Sequence, residues 1–257
     1  MLIANKYEII NNINRGTFGA LYKAKNIRTN ELVAIKIEKK IIINTLKYEA
    51  KIYTFLKNIN GFPKLKWFGC DDKYNYLVID LLGQSLKQIN VKNNFEIIFL
   101  LGNKIIRKLM ILHDKGIIHR DIKPDNILLN LENTFDDVYL IDFTFSKKYI
   151  NNANVHMSLK KINKLIGSVN YASLNVHEFN EPSRRDDLES VVYTLIYLYY
   201  GRLIWEETID VNEIYNLKKN IINNKNMLNC FKNMIIYIRQ LEFVERPNYY
   251  YLIECLS

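Results

Sequence analysis

The sequence contains few cysteine residues, and they form no pattern that would bind a metal. Its three cysteines, Cys70, Cys230 and Cys255, lie far apart and are odd in number. Thiols in this arrangement are typical of a reducing compartment, in which disulfides rarely persist. The sequence therefore argues against a disulfide-stabilised secreted protein and favours an intracellular one.

Long apolar runs and long blocks of like charge are also absent. The longest apolar run, residues 191–200, is far shorter than the ~20 residues of a membrane-spanning helix. The sequence turns polar directly after its start, unlike a signal peptide. The formal net charge is +9, which favours acidic partners, but the lysines are spread along the sequence. We expect a soluble protein of the cytoplasm or nucleus, with no membrane anchor and no dedicated nucleic-acid surface.

The length and composition fit one folded unit. Of the 257 residues, 49% are hydrophobic and 25% are charged, which is the balance of a globular protein. The protein is long for a single core but too short for two ordinary domains with linkers. No internal repeat is evident. We expect a single domain, residues 1–257, that is a monomer.

The first third of the sequence has the patterns of strands, whereas the remainder is helical. Strand patterns cover residues 7–14, 20–26, 32–38, 64–70 and 75–80, and a helical pattern covers residues 44–57. Beyond Ser85, helical spacing is clearest in residues 95–115, 187–200 and 227–241. These patterns predict an α+β fold with two lobes. The N-lobe, residues 1–82, would hold a five-stranded antiparallel sheet and one helix, and the C-lobe, residues 83–257, would be mainly helical.

Residues 119–126 read H-R-D-I-K-P-D-N, and three of these side chains fit the chemistry of phosphoryl transfer. Asp121 can align the attacking hydroxyl or accept its proton, and Lys123 can reach the transferring phosphate. Asn126 can hold a metal ion through its carbonyl oxygen. An accidental polar loop would not match eight positions. The loop predicts a protein kinase with Asp121 and Lys123 as catalytic residues.

A second metal ligand is predicted at Asp142, which directly follows a short apolar stretch, residues 138–141. A strand that ends in one aspartate delivers a carboxylate to Mg²⁺ between the β- and γ-phosphates. Together with Asn126, Asp142 therefore predicts the metal site. Protein kinases usually have glycine at the position of Thr144, and β-branched threonine is stiffer than glycine. We expect restricted loop motion there rather than a lost metal ligand.

A lysine on a central strand is predicted to contact the nucleotide. In the stretch V-A-I-K, residues 33–36, Lys36 would contact the α- and β-phosphates, and Ala34 leaves room for the adenine. Glu49 lies in the middle of the only predicted N-lobe helix and is the best partner for Lys36. Taken alone, Glu49 fits a solvated helix face as well.

The predicted phosphate-covering loop has two of the three usual glycines. Asn14 occupies the place of the first, and asparagine is the residue that best tolerates unusual dihedrals after glycine. Glycines matter here because backbone N–H groups must approach the phosphates without a Cβ in the way. The pattern alone fits a hairpin turn equally well, but its place ahead of Lys36 favours a nucleotide-binding loop. Its residues are Ile13, Asn14, Arg15, Gly16, Thr17, Phe18, Gly19, Ala20 and Leu21.

Several stretches of the sequence resemble the casein kinase 1 family of serine/threonine protein kinases. They are residues 48–53, 81–86, 167–173 and, most specifically, 183–190, which read S-R-R-D-D-L-E-S. As in that family, no A-P-E sequence follows the activation segment. The resemblance extends over almost the whole sequence. It implies a bilobal kinase fold, ATP and Mg²⁺ as cofactors, and protein substrates phosphorylated on serine or threonine.

The resemblance also implies how the adenine and the phosphoryl-transfer loop are held. The backbone of Asp80 and Leu82 would hydrogen-bond the adenine edge, and Leu128 and Ile141 would line the floor of its pocket. Asp187 would hydrogen-bond the backbone of the phosphoryl-transfer loop from a buried helix.

A preference for acidic or already phosphorylated substrates is a further implication of the resemblance. Arg120, Lys147 and Lys148 match parts of the basic cluster on which the family docks the substrate phosphate. Asn170 stands where the family usually has arginine, and asparagine offers no charged, forked set of donors. The sequence therefore leaves open whether a phosphorylated substrate is required.

Two alternatives stay open at this point. A pseudokinase would bind nucleotide or partners without phosphoryl transfer, and Asn14 and Thr144 favour it. The presence of every charge-handling residue of the phosphoryl-transfer set argues against it. A small-molecule kinase is the second alternative, and the match at residues 183–190 argues against that one.

Overall fold

The structure, a computed structural model, describes residues 2–16, 19–40 and 44–257, and of Arg15 and Gly16 it describes the backbone alone. The protein divides into two compact units. Unit 1 is the segment up to Gln84 together with Leu128–Thr134 and Tyr139–Thr144. Unit 2 comprises Ser85–Ile127, Phe135–Val138 and Phe145–Ser257.

Unit 1 is built on an antiparallel sheet and one helix. The strands are β1 (Leu2–Ile3), β2 (Tyr7–Gly16), β3 (Gly19–Asn26), β4 (Leu32–Lys39), β5 (Leu65–Cys70) and β6 (Tyr74–Asp80). Their order in the sheet is β1-β2-β3-β4-β6-β5. Helix α1 (Thr45–Phe55) lies between β4 and β5 in the sequence.

The described part of this sheet has six strands rather than the predicted five. The additional strand is β1, which pairs Ile3 with Tyr7 and Leu2 with Glu8. The backbone reverses through Ala4 and Asn5, whose φ angles are +51° and +50°. A two-residue strand has no alternation to detect, and a turn of two non-glycine residues with positive φ leaves little trace in a sequence. The predicted strand count was therefore wrong at the N-terminal edge.

The alternation of side chains along β4 explains where its lysine points. Val33 and Ile35 are fully buried in a core with Ala24 and Val78. Because successive side chains of a strand point to opposite faces, Lys36 lies on the other face of the sheet. On α1, Glu49 is one of the buried residues. Unit 1 thus buries the carboxylate of Glu49 on its helix and places Lys36 on the sheet face opposite the core of Val33 and Ile35.

Unit 2 is mainly helical. Its helices are α2 (Phe95–Asp114), α3 (Leu174–His177), α4 (Arg184–Tyr200), α5 (Val211–Asn220), α6 (Asn229–Gln240) and α7 (Tyr249–Glu254). The short strands from α2 onward are β7 (Ile117–Ile118), β8 (Ile127–Leu129), β9 (Val138–Leu140) and β10 (Lys147–Lys148). Strands β7 and β10 pair antiparallel. None of the helices described is long and apolar enough to cross a membrane.

Helix α4 is buried along almost its whole length and packs against α2 and α6. It begins at Arg184, three residues before the predicted start, because the side chain of Asp186 caps its N-terminus. Ser183 N donates to Asp186 Oδ2 at 2.7 Å. The helix ends before Gly201, whose φ is +79°. This cap places Asp187 in the first turn of a buried helix.

Candidate active site

Lys36 lies at the centre of an ion-pair cluster in unit 1. Its Nζ is 2.9 Å from Glu49 Oε2 and 2.9 Å from Asp142 Oδ1. Glu49 is 1% exposed, so its charge is removed from water and requires a partner. Burial acts to lower the pKa of Lys36, but the charges of Glu49 and Asp142 outweigh it and raise the pKa above its ordinary value. The predicted pairing of Lys36 with Glu49 is present in the structure.

Thr144 takes part in this cluster through its hydroxyl. The hydroxyl donates to Asp142 Oδ1 at 2.6 Å and accepts from Lys36 Nζ at 3.2 Å. The sequence interpretation considered only the stiffness of threonine and missed this contact. The signal was the hydroxyl itself, because a threonine two positions after Asp142 carries a donor that its carboxylate can accept.

Helix α1 holds the segment around Asp142 at two further points. Asp142 N donates to the Tyr53 hydroxyl at 3.2 Å, and Phe143 N donates to Glu49 Oε1 at 3.3 Å. The rings of Tyr53 and Phe143 meet edge to face with centroids 5.1 Å apart. Asp142 has a φ of +62°, a conformation that aspartate tolerates better than most residues. Tyr53 is thus a supporting residue that the sequence analysis did not single out.

The predicted phosphate-covering loop lies on the hairpin of β2 and β3. Asn14 pairs with Leu21, and Gly16 pairs with Gly19. A Cβ at Gly19 would lie 2.1 Å from the Ile37 carbonyl oxygen, so there is no room for any other residue at that position. The close approach to β4 is a second reason for glycine beside the access to phosphates. Thr17 and Phe18 lie outside the described residues, and Ile13 is exposed.

The residues predicted around the adenine all belong to unit 1. Ala34 is buried and pairs with Ile79 in the ladder of β4 and β6. The backbone N–H of Asp80 donates to Lys64 O at 3.1 Å. The other positions predicted around the adenine, Leu82, Leu128 and Ile141, are half-buried, as are Ala20 and Leu21 of the predicted phosphate-covering loop.

In unit 2, the predicted phosphoryl-transfer loop, residues 119–126, forms a cluster around Asp121, which is 6% exposed. Asp121 Oδ2 accepts from Asn126 Nδ2 at 3.0 Å and pairs with Lys123 Nζ at 3.0 Å. Asp121 Oδ1 accepts from Ser168 N at 2.9 Å, and Lys123 Nζ donates to Ser168 Oγ at 2.8 Å. The loop therefore presents Asp121, Lys123 and Asn126 together and adds Ser168, to which the sequence analysis gave no site role.

Asp187 of α4 anchors the start of this loop. Its carboxylate accepts from His119 N at 2.7 Å, from Arg120 N at 2.8 Å and from His113 Nε2 at 3.0 Å. Burial acts to raise the pKa of Asp187, but the hydrogen bond and charge of His113 outweigh it and lower the pKa. The expected contact between Asp187 and the loop backbone is confirmed. Gly167 also packs closely against this loop, because a Cβ at its position would lie only 2.4 Å from the Arg120 carbonyl oxygen.

Two of the three basic residues predicted to dock a substrate phosphate, Arg120 and Lys147, pair with a buried carboxylate. Glu181, 2% exposed, is paired with Arg120 at 3.2 Å, with Lys147 at 2.9 Å and with Lys160 at 3.8 Å. Glu181 and Lys160 were missed because no local pattern links them to Arg120. An internal anion thus already neutralises part of the predicted phosphate site. At Asn170, where the casein kinase 1 family usually has arginine, the backbone carbonyl oxygen accepts a hydrogen bond from Trp205 Nε1.

Oxygen donors suited to a magnesium ion are present in each unit. Among the described residues there is no group of three or more His, Cys, Asp or Glu side chains that could hold a metal. Mg²⁺ in phosphoryl-transfer sites is commonly bound by one or two side chains together with substrate phosphates, so a large cluster is not required. Asn126 directs its amide nitrogen to Asp121, which leaves its carbonyl oxygen as the group for a cation. The donor chemistry of Asn126 and Asp142 therefore fits Mg²⁺.

A comparison with protein families agrees with this arrangement of residues. The family model of the protein kinase domain matches residues 7–254. Because the match covers almost the whole sequence, this protein belongs to the protein kinase family. The strand-rich unit 1 and the helical unit 2 fit the two-lobed kinase fold. Membership implies ATP, a divalent metal in general and protein substrates.

Proposed function

We propose that the protein is an active serine/threonine kinase of the casein kinase 1 type, which transfers the γ-phosphate of ATP to protein acceptors. The observation that carries this proposal is the cluster of Asp121, Lys123 and Asn126. Within one loop, the carboxylate of Asp121 contacts both the ammonium group of Lys123 and the amide group of Asn126. A pseudokinase has no need to keep all three groups in such an arrangement.

Each residue of the cluster has a distinct role in the proposed reaction. Asp121 orients the acceptor hydroxyl and takes its proton, and Lys123 offsets the negative charge of the transferring phosphoryl group. Asn126 and Asp142 would hold Mg²⁺, which when bound neutralises charge on the β- and γ-phosphates. The contribution of the protein is to position these groups before the reaction begins.

The residues of unit 1 are proposed to bind ATP. Lys36, fixed by Glu49, would contact the α- and β-phosphates. The hairpin of β2 and β3 would cover the phosphates. Asp80, Leu82, Leu128 and Ile141 would surround the adenine, and Ala34 would leave room for it.

The assignment to the casein kinase 1 type and to serine/threonine acceptors rests on the resemblance at residues 183–190. The contacts of that stretch support it, because Asp186 caps α4 and Asp187 anchors the phosphoryl-transfer loop. The implied docking of a substrate phosphate has weaker support, since Glu181 already pairs with Arg120 and Lys147. We therefore propose protein acceptors that do not need a prior phosphate.

A pseudokinase remains the second candidate because of Asp142. Its Oδ1 already contacts Lys36 Nζ and the Thr144 hydroxyl. If these contacts persist with bound nucleotide, the carboxylate would compete poorly for the metal. This candidate predicts nucleotide binding without phosphoryl transfer.

One assay distinguishes the two candidates. Purified protein is incubated with labelled ATP, Mg²⁺ and casein, beside Asp121→Asn and the control Asp114→Asn, whose carboxylate is exposed. We expect label on serine or threonine, a loss of roughly 10²–10⁴-fold in Asp121→Asn, and normal activity in the control. Equal label from wild type and Asp121→Asn, or no label despite measured nucleotide binding, contradicts the kinase proposal.

The acceptor preference is tested with paired peptides that differ by a phosphoserine three residues before the acceptor. We expect similar rates for both peptides. A strong preference for the phosphorylated peptide would show that Glu181 does not occupy the docking site functionally.

A further inference from the structure

Lys218 is a buried lysine whose side chain reaches the backbone of a segment beside the phosphoryl-transfer loop. It lies on α5 and is fully buried. Its Nζ donates to Val169 O at 2.6 Å and to Ala172 O at 2.7 Å. A third contact, at 3.0 Å, is with His177 Nε2. The ammonium is thus directed at two carbonyls separated by three positions in the sequence.

The side chains in contact with the ammonium group of Lys218 are neutral. The rings of Tyr193 and Trp205 lie 5.0 and 5.3 Å from its Nζ. Burial, and next the charge of Lys218, lower the pKa of His177 to about 4, so this histidine is uncharged at neutral pH. Among the residues that the structure describes, no carboxylate forms an ion pair with Lys218, and the charges of Glu189 and Arg239 act on it from farther away.

A lysine in this place is costly for the stability of the fold. Burial lowers the pKa of Lys218 to about 7, which reflects the loss of hydration of its charge. A buried charge without an opposite charge lowers stability unless hydrogen bonds compensate for the lost hydration. The position therefore calls for an explanation other than core packing, and its two carbonyl partners supply one.

Those partners belong to residues 168–172, which we call the acceptor segment. Lys218 holds the carbonyls of Val169 and Ala172, and Trp205 Nε1 donates to the carbonyl of Asn170 at 2.9 Å. Both donor residues follow α4 in the sequence. They hold three of the five carbonyls of the acceptor segment.

The acceptor segment also contacts the proposed catalytic residues. Ser168 N donates to Asp121 Oδ1, and Ser168 Oγ accepts from Lys123 Nζ. The segment lines a cleft of about 340 Å³ in unit 2 together with Lys123 and Asp125. An extended acceptor peptide beside Asp121 would therefore contact the acceptor segment. A displacement of this segment would move the bound acceptor and would leave the residues of unit 1 unchanged.

We propose that Lys218 is a positioning residue for phosphoryl transfer, which holds the acceptor segment in the place where it binds the protein acceptor. The proposal rests on the proposed kinase function, because it concerns the acceptor of that reaction. Lys218 acts through the carbonyls of Val169 and Ala172 and does not itself touch the reacting groups.

The test compares Lys218→Met with the control Lys219→Met, which removes the same charge from the exposed neighbouring position on α5. Steady-state rates are measured against acceptor concentration and, separately, against ATP concentration. We expect KM for the acceptor to rise about tenfold in Lys218→Met, because hydrogen bonds from a charged donor to the segment are lost. We expect KM for ATP to stay unchanged in both variants. An unchanged acceptor KM in folded Lys218→Met overturns the proposal.

A second readout does not depend on catalysis. Amide hydrogen exchange of residues 168–172 is expected to be faster in Lys218→Met than in Lys219→Met, with little change in α2. If wild type transfers no phosphate, the proposed function fails, and the exchange result still decides whether Lys218 holds the segment. Exchange equal in the two variants would overturn the inference.

Thermal unfolding establishes that each variant is folded. If Lys218→Met does not fold, both measurements are made on Lys218→Gln, which keeps amide donors on a shorter side chain. For Lys218→Gln we expect intermediate values of two quantities, the KM for the acceptor and the amide exchange rate of residues 168–172. Both should exceed the wild-type values and stay below those expected when all the contacts of Lys218 are lost. Wild-type values for Lys218→Gln on both readouts would contradict the requirement for a lysine.

Discussion

The ion-pair cluster of unit 1 and the phosphoryl-transfer loop of unit 2 are held in place by different means. Lys36, Glu49 and Asp142 come from three separate parts of the sequence and meet through opposite charges. Asp121 and Asn126 come from one loop, whose backbone N–H groups are anchored by Asp187. The first cluster is held chiefly by ion pairs, and the second is anchored chiefly through its backbone N–H groups.

This difference predicts different consequences of substitution. Removing one charge in unit 1 leaves an opposite charge without its partner, and the geometry of nucleotide binding is lost while the sheet persists. Removing the anchor in unit 2 leaves buried backbone donors unsatisfied, which lowers the stability of the fold itself. The two clusters are therefore expected to separate effects on activity from effects on stability.

The largest effect on activity is expected for Lys36→Met. The substitution removes the cation that would contact the ATP phosphates and leaves Glu49 buried without a partner, and we expect kcat/KM to fall roughly 10²–10³-fold. The matched control is Lys39→Met at the exposed end of the same strand. Phosphate transfer and nucleotide binding are measured for both. Comparable losses in both variants would mean that overall charge, rather than the cluster, determines the rate.

The next effect in size concerns stability and the anchor of unit 2. Asp187→Asn keeps the shape of the side chain but replaces one accepting oxygen with an N–H donor that faces other donors. We expect the free energy of unfolding to fall by about 2–3 kcal/mol. Denaturant unfolding measures it, with Asp114→Asn as the exposed control.

The comparison between the clusters depends on the same experiment carried out for unit 1. Lys36→Met is expected to change the free energy of unfolding less than Asp187→Asn does, because burial raises the pKa of Glu49 and this carboxyl can take up a proton once the lysine is removed. The distinction between ion pairing and backbone anchoring is wrong if the two substitutions destabilise the protein equally.

The smallest effect is expected at Thr144. Thr144→Val removes the hydroxyl that donates to Asp142 and keeps the β-branched shape, whereas Thr144→Ser keeps the hydroxyl and removes the stiffness. We expect kcat to change only a few-fold in either variant and in Thr144→Gly, because Lys36 still contacts Asp142. The dependence of the rate on Mg²⁺ concentration is measured alongside. A large gain of activity in Thr144→Gly would show that threonine restrains the metal ligand.

The sequence was most informative where the chemistry is concentrated in short stretches. The spacing of Asp121, Lys123 and Asn126 predicted that they share one loop, and in the structure Asp121 contacts the other two. The V-A-I-K stretch predicted a nucleotide-facing lysine at Lys36, and the position of Glu49 on the predicted N-lobe helix made it the best partner, a pairing that the structure contains. Each of these predictions needed only the period of one element and the reach of one side chain.

The sequence was least informative where distant residues share a contact. Glu181 lies 61 positions from Arg120, and Lys218 lies 49 positions from Val169. Neither pair has a local pattern, because their contact depends on how the segments between them fold. The short strand β1 was missed for a different reason, since two residues carry no periodicity.

By itself, the sequence determined the α+β class, the membership in the kinase family and the candidate residues of the predicted phosphoryl-transfer loop. These features follow from local periodicity and from side chains that act within a few positions of one another. The tertiary structure alone decided that Thr144 joins the Lys36 cluster, that Glu181 pairs with Arg120 and Lys147, and that Lys218 donates to the carbonyls of Val169 and Ala172. Such contacts arise when a buried polar group must find a partner, and only the packing of distant elements determines which partner is within reach.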